Sequence, residues 1–114
     1  MTRWKEPKNY EASLSYIAAW KSKGELSKDN IALLEITFFD IAKDMGVTIN
    51  ELVVSNDNVL VSFETNPTHA PHYVIQKFKN RTARLIKDSS FPDGVWNREY
   101  KVCSVGDADF DEFL

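Results

Sequence analysis

Val47-Thr48-Ile49-Asn50-Glu51-Leu52-Val53-Val54-Ser55-Asn56-Asp57-Asn58-Val59-Leu60-Val61-Ser62-Phe63-Glu64 is the stretch whose reading decides the fold. It holds two apolar, β-branched runs, 47–54 and 59–64, separated by Ser55-Asn56-Asp57-Asn58. Val and Ile favour strands, and Asn and Asp tolerate the positive φ of a tight turn, so the spacing predicts a β-hairpin. On both sides of it the apolar period becomes helical. Upstream, Ile31, Leu34, Phe38, Ile41 and Met45 recur three and four apart, with Ser27 or Asp29 as cap and Gly46 as stop. Downstream, after Pro67, a second helix is predicted over 70–87, with Val74, Phe78 and Leu85 facing inward, flanked by Ile75 and Ile86.

Further out, residues 10–20 alternate, placing Tyr10, Ala12, Leu14, Tyr16, Ala18 and Trp20 on one side of a strand. Lys21-Ser22-Lys23-Gly24 reads as the loop after it, and a loop with Pro92 and Gly94 leads into a last strand over 98–105. The order β-α-β-β-α-β is the split βαβ of an α+β, ferredoxin-like fold: a four-stranded antiparallel sheet with two helices on one face. RNA-recognition domains share this order, but no strand here carries the aromatic-rich signature with which they stack bases. The expected organisation is a flexible arm over 1–9, one domain over 10–106 and a short acidic tail over 107–114.

Composition narrows the function classes. The 114 residues are 43% hydrophobic and 27% charged, the balance of one globular domain. No run approaches the roughly 20 apolar residues of a membrane-spanning helix. The start, Met1-Thr2-Arg3-Trp4-Lys5-Glu6-Pro7, has no apolar signal core, so the expected compartment is the cytoplasm. A single cysteine, Cys103, agrees with a reducing environment and reads as a buried small hydrophobe. The net charge of −3 argues against generic charge-driven nucleic-acid binding but leaves room for a local basic face. Two histidines, His69 and His72, are too few for a closed zinc site and read as an uninvolved surface pair.

Several segments, in order, resemble the insertion sequence 200-like transposases, the single-tyrosine members of the HUH nuclease superfamily. They are Ile41-Ala42-Lys43-Asp44-Met45-Gly46-Val47, Val59-Leu60-Val61-Ser62-Phe63 and Lys79-Asn80-Arg81-Thr82-Ala83-Arg84-Leu85. Val95-Trp96-Asn97-Arg98-Glu99-Tyr100 and Ser104-Val105-Gly106 complete the set, which spans roughly 9–109. The Lys-x-Arg-Thr-Ala-Arg piece is the most specific. The resemblance implies a homodimer, joined sheet to sheet, that recognises a DNA hairpin or single-stranded DNA. It also implies two strand histidines holding Mg or Mn at the scissile phosphate, and a tyrosine on a C-terminal helix that attacks it.

The sequence departs from that pattern at each catalytic point. Where the family carries His-hydrophobic-His, this chain reads Asn56-Asp57-Asn58-Val59. Aligned from the following strand, Asn56 and Asn58 take the two histidine positions; aligned from the preceding strand, Asn58 takes the first and the second is deleted. Asn carbonyls are neutral, weak ligands, and one carboxylate, Asp57, is a poor magnesium site, so no cofactor is expected. After Ser104-Val105-Gly106 the chain reads Asp-Ala-Asp-Phe-Asp-Glu-Phe-Leu, short of the position of the family's tyrosine. Tyr10, Tyr16, Tyr73 and Tyr100 lie elsewhere and read as core or sheet-face aromatics. The expectation is a fold without its reaction.

What remains is charge. Lys77, Arg81, Arg84 and Lys87 share one face of the second helix, and no Asp or Glu interrupts 73–87. With Lys21 and Lys23 they form the candidate surface for backbone phosphates, contacts that position a nucleic acid without reading its sequence. Asp107, Asp109, Asp111 and Glu112 oppose that helix in sign. Two readings stay open: an inactive transposase-like DNA-binding protein, or a protein-interaction scaffold that has lost nucleic-acid binding.

Overall fold

The computed structural model describes residues 14–66, 69–86 and 91–104. Its elements are β1 (Leu14–Ser22), α1 (Lys28–Met45), β2 (Thr48–Val54), β3 (Asn58–Thr65), α2 (Pro71–Leu85) and β4 (Trp96–Ser104). The arm 1–9, Tyr10, Ala12, Lys87 and the tail 107–114 lie outside the described residues.

Helix α1 begins and ends where its sequence dictates. The Ser27 side chain accepts from the Asn30 N–H, satisfying one of the free donors of the first turn. Gly46, at φ 70, takes the left-handed turn that lets the N–H of the cap return to the last carbonyls. Leu34, Phe38, Ile41 and Ala42 are buried, while Ile31 and Met45 pack at the core margin.

The strands form one sheet in the order β2-β3-β1-β4, every neighbouring pair antiparallel. This is the βαββαβ arrangement predicted from the hairpin outward. Tyr16, Ala18 and Trp20 of β1 stand beside Phe63, Val61 and Val59 of β3 and face the helices. Phe38 of α1 meets Trp20 at 5.9 Å and Phe78 of α2 at 5.0 Å, so sheet and both helices join in one core. Trp20 and Trp96, both buried, meet edge to face at 6.0 Å. By alternation the opposite face of the sheet carries Ala19, Lys21, Asn58, Leu60 and Lys101.

Three boundary expectations are corrected. Strand β1 is described only from Leu14 but continues to Ser22, so Lys21 is a strand residue and not part of a loop. Strand β4 begins at Trp96, two positions before the expected start, because Trp96 pairs with Ser22 across a register shift. Leu85 does not face inward: it is 43% exposed, while Ile86 leaves the helix at φ −94, ψ 86 and is buried. The helix ends one residue too early for both to enter the core, and Ile86 takes the place. Cys103, opposite Ile17, is half-buried and unpaired in any disulfide. Tyr73 is a further correction, since it is 43% exposed on α2 and belongs to neither core nor sheet.

Candidate nucleic-acid interface

The hairpin between β2 and β3 closes through the Ser55 N–H on the Asn58 carbonyl at 2.8 Å. It is then tied to the loop after β1. The Ser22 N–H donates to the Asp57 carbonyl at 2.9 Å, and Asn56 Nδ2 donates to Glu25 Oε2 at 3.1 Å. Asn56 therefore belongs to the turn, while Asn58 is the first residue of β3. Asn58 Nδ2 donates to Asp57 Oδ1 at 3.0 Å, and across the ladder Asn58 stands directly opposite Lys21. Directly opposed residues of an antiparallel pair have Cβ atoms about 4.5–5.5 Å apart, so ammonium and amide share one patch of the open face. That patch lines a groove of about 760 Å³ that also takes in Leu60, Glu99, Tyr100 and Lys101.

The basic residues separate into three places. Lys77, Arg81 and Arg84 lie along the exposed side of α2. Arg81 Nη2 reaches Asp44 Oδ2 of α1 at 3.2 Å, an exposed ion pair of small energetic weight. Lys77 Nζ sits 5.6 Å from the centroid of the Tyr73 ring, whose neighbour His69 stacks on it at 5.6 Å and 21°. Lys21 is on the open face of the sheet, and Lys23 Nζ donates to the Asp93 carbonyl at 2.9 Å. Lys23 borders a second groove of about 490 Å³ between α2 and the start of β4, with Gln76, Asn80 and Arg98. The sheet thus separates Lys21 from α2, while Lys23 stays beside the flank of α2 away from Lys77. The expected single surface is not formed.

Lys79 is the residue that sequence pattern missed. It lies on the opposite flank of α2 from Lys77 and is buried. Its Nζ donates to the carbonyls of Asn97 and Arg98 at 2.8 and 3.0 Å, and lies 5.5 Å from the Tyr100 ring. Those carbonyls fall where β1 advances from Trp20 to Ser22 while β4 runs from Tyr100 back to Trp96, an irregularity that leaves ladder groups unpaired. Beside it, Thr82 Oγ1 donates to the Phe78 carbonyl and accepts from Trp96 Nε1 at 2.9 Å. Burial pushes the Lys79 ammonium below its ordinary pKa of 10.5. Lys79 is therefore a bolt between α2 and β4, not a phosphate ligand. Among the described residues no group of three or more His, Cys, Asp or Glu is placed to hold a metal ion.

The model of the family described as "Transposase IS200 like" matches residues 9–113. The chain belongs to the IS200-like transposase family. A similar solved structure is that of a candidate transposase from Deinococcus radiodurans R1, 22% identical, covering 96% of this chain and 95% of the other with a TM-score of 0.76. A REP-associated tyrosine transposase bound to a REP hairpin is 8% identical, with 99% and 66% covered and a TM-score of 0.66. At these identities the likeness is one of fold. No curated protein matches the chain at a significant level. Asn58 opens β3, and Lys21 of β1 stands opposite it in the ladder. No helix of the described residues is long and apolar enough to cross a membrane.

Proposed function

We propose that this transposase-family chain binds a DNA hairpin or its single-stranded flank as a homodimer and does not cut it. The observation that carries the reading is the Asn58–Lys21 pair. A strand position that the resemblance assigns to an imidazole ligand holds a neutral amide, and Lys21 is its register partner on β1. A neutral amide is a weaker ligand for magnesium or manganese than carboxylate or imidazole, and a lysine beside the site repels a dication. Asn56, which takes the other histidine position when aligned from the following strand, is engaged with Glu25 and sits in the turn. The donor set does not fit the family's metal.

Binding is supported by α2. Its exposed flank presents Lys77, Arg81 and Arg84 with no acid on the helix, and a protein of the same fold is bound to a REP hairpin. Such side chains fix a backbone by phosphate contacts, which makes affinity fall steeply with salt. The homodimer is an expectation of the family. The sheet ends on β2 and β4, and pairing either edge with a second copy would satisfy its open ladder groups.

The scaffold reading keeps one observation in its favour. Leu33, Ile36 and Phe39 of α1 are 40%, 65% and 52% exposed, an apolar strip of the kind that partners cover. Substituting Lys77, Arg81 and Arg84 with Ala separates the two. Loss of hairpin affinity with an unchanged fold supports DNA binding; unchanged affinity refutes the α2 assignment. Light scattering tests the dimer, and a monomer at micromolar concentration contradicts it.

A further inference from the structure

The exposed flank of α2 carries more than charge. His69, Tyr73, Lys77 and Arg81 follow one another at every fourth position, and Arg84 lies three further on. At 3.6 residues per turn Tyr73, Lys77, Arg81 and Arg84 share one stripe of α2, and His69, just before the helix, stacks on the first of them. Tyr73 is a large aromatic left 43% exposed, yet it is not loose. The His69 ring stacks on it at 21°, and the Lys77 ammonium lies 5.6 Å from its centroid. Below them come two guanidinium groups, Arg81 oriented by Asp44 and Arg84 exposed. From Tyr73 to Arg84 the stripe runs about 16 Å at 1.5 Å per residue.

We infer that His69, Tyr73 and Lys77 form a stacking platform for an unpaired base, continued by Lys77, Arg81 and Arg84 as a track for the phosphates that follow it. The inference rests on the proposed DNA binding and deepens it by naming which part of the nucleic acid this helix takes. Every base offers a π face to an aromatic ring, and a nearby cation strengthens the contact, so recognition here is tolerant of sequence. A duplex offers no free base face along its length. A single-stranded flank or loop does, and its phosphates match the row of cations below the ring. The choice of nucleic acid over an acidic protein segment rests on this coupling of a held ring to a line of cations. An acidic peptide would use the cations and leave Tyr73 without a role.

The test uses the full chain and three labelled DNA oligonucleotides: a blunt hairpin, the same hairpin with an unpaired extension, and the unpaired strand alone. A fluorescent adenine analogue in the extension reports stacking. The extension should tighten binding, and the analogue should be quenched on binding. Tyr73→Ala should weaken the extended hairpin roughly tenfold and abolish the quenching, with the blunt hairpin changed by about twofold or less. Tyr73→Trp should keep both, which guards against a fold defect in the alanine variant. Lys77→Ala should lower the slope of log affinity against log salt by about one. Equal binding of the extended hairpin by wild type and Tyr73→Ala, with the quenching retained, overturns the platform but leaves hairpin binding standing. Failure of all three oligonucleotides to bind at low salt overturns both.

Discussion

Lys77 and Lys79 are two residues apart on the same helix and do opposite work. Lys79 is 6% exposed and spends its ammonium on two carbonyls of β4, at the point where that strand slips against β1. Lys77 lies on the solvent side, near only the ring of Tyr73 among the contacts described. The inner flank of α2 holds the fold together, and the outer flank is what a ligand can meet. The difference teaches that a basic helix in this fold is read side by side, not by its total charge. Half of the Lys-x-Arg-Thr-Ala-Arg segment that marks the family is structural.

The contrast can be broken most forcefully from the inside. Lys79→Met keeps the buried stem and removes the donor, leaving the Asn97 and Arg98 carbonyls without it. Stability to urea should fall by about 1–3 kcal/mol, the cost of unsatisfied buried polar groups, while hairpin affinity of the folded variant is unchanged. Thr82→Val acts in the same place. It orphans Trp96 Nε1 and should cost about 1–2 kcal/mol by the same measurement. A loss of DNA affinity without a loss of stability in either variant would dissolve the distinction between the flanks.

Alkaline titration sharpens it. Burial lowers the folded-state pKa of Lys79 below 10.5, so just below that pH the unfolded chain binds the more protons. Stability contributed at this site must therefore rise as pH climbs through the folded pKa toward 10.5. Measured as the difference between wild type and Lys79→Met, the gap should widen in wild type's favour over that window. A flat difference would show that the ammonium is not desolvated.

From the outside the effects on stability are small. Lys77→Ala should change unfolding free energy by about 0.5 kcal/mol or less, as surface substitutions do, yet weaken hairpin binding severalfold at low salt. Asp44→Asn should likewise cost little in stability, within about 0–1 kcal/mol for an exposed ion pair. It frees Arg81 and should raise hairpin affinity slightly in a salt-dependent manner.

How far these flanks could be read without a structure depends on what carried the signal. Helix α1 was legible because its limits are local chemistry, the Ser27 hydroxyl at one end and the left-handed Gly46 at the other. The β2–β3 hairpin was legible from its two apolar runs and polar spacer, and with it the βαββαβ order, although no Asn or Asp of the turn takes the positive φ expected of it. Lys79 was not, because its partners are backbone carbonyls exposed by a slip between β1 and β4, and no periodicity records a slip. Leu85 misled because period places it near the inner face while the helix ends there and Ile86 turns in instead. Lys21 was assigned to a loop by its polar company, though a strand with one open face accommodates a lysine without cost. Tyr73 reads from sequence as one more core or sheet-face aromatic; the four-residue spacing of Tyr73, Lys77 and Arg81 was the signal that could have marked it as part of a surface stripe.

The central claim is that this family member holds DNA without cutting it. Its most direct test incubates the full chain with an end-labelled hairpin bearing a single-stranded flank, at low salt, with magnesium and then manganese, and follows both the shifted complex and the DNA length on a denaturing gel. The account predicts a salt-sensitive complex, DNA of unchanged length and no covalent protein–DNA species. Cleavage at a defined position, or a protein–DNA adduct that survives denaturation, would contradict the assignment of Asn58 and Lys21 as a site that does not hold the metal. Absence of any complex would contradict the binding itself.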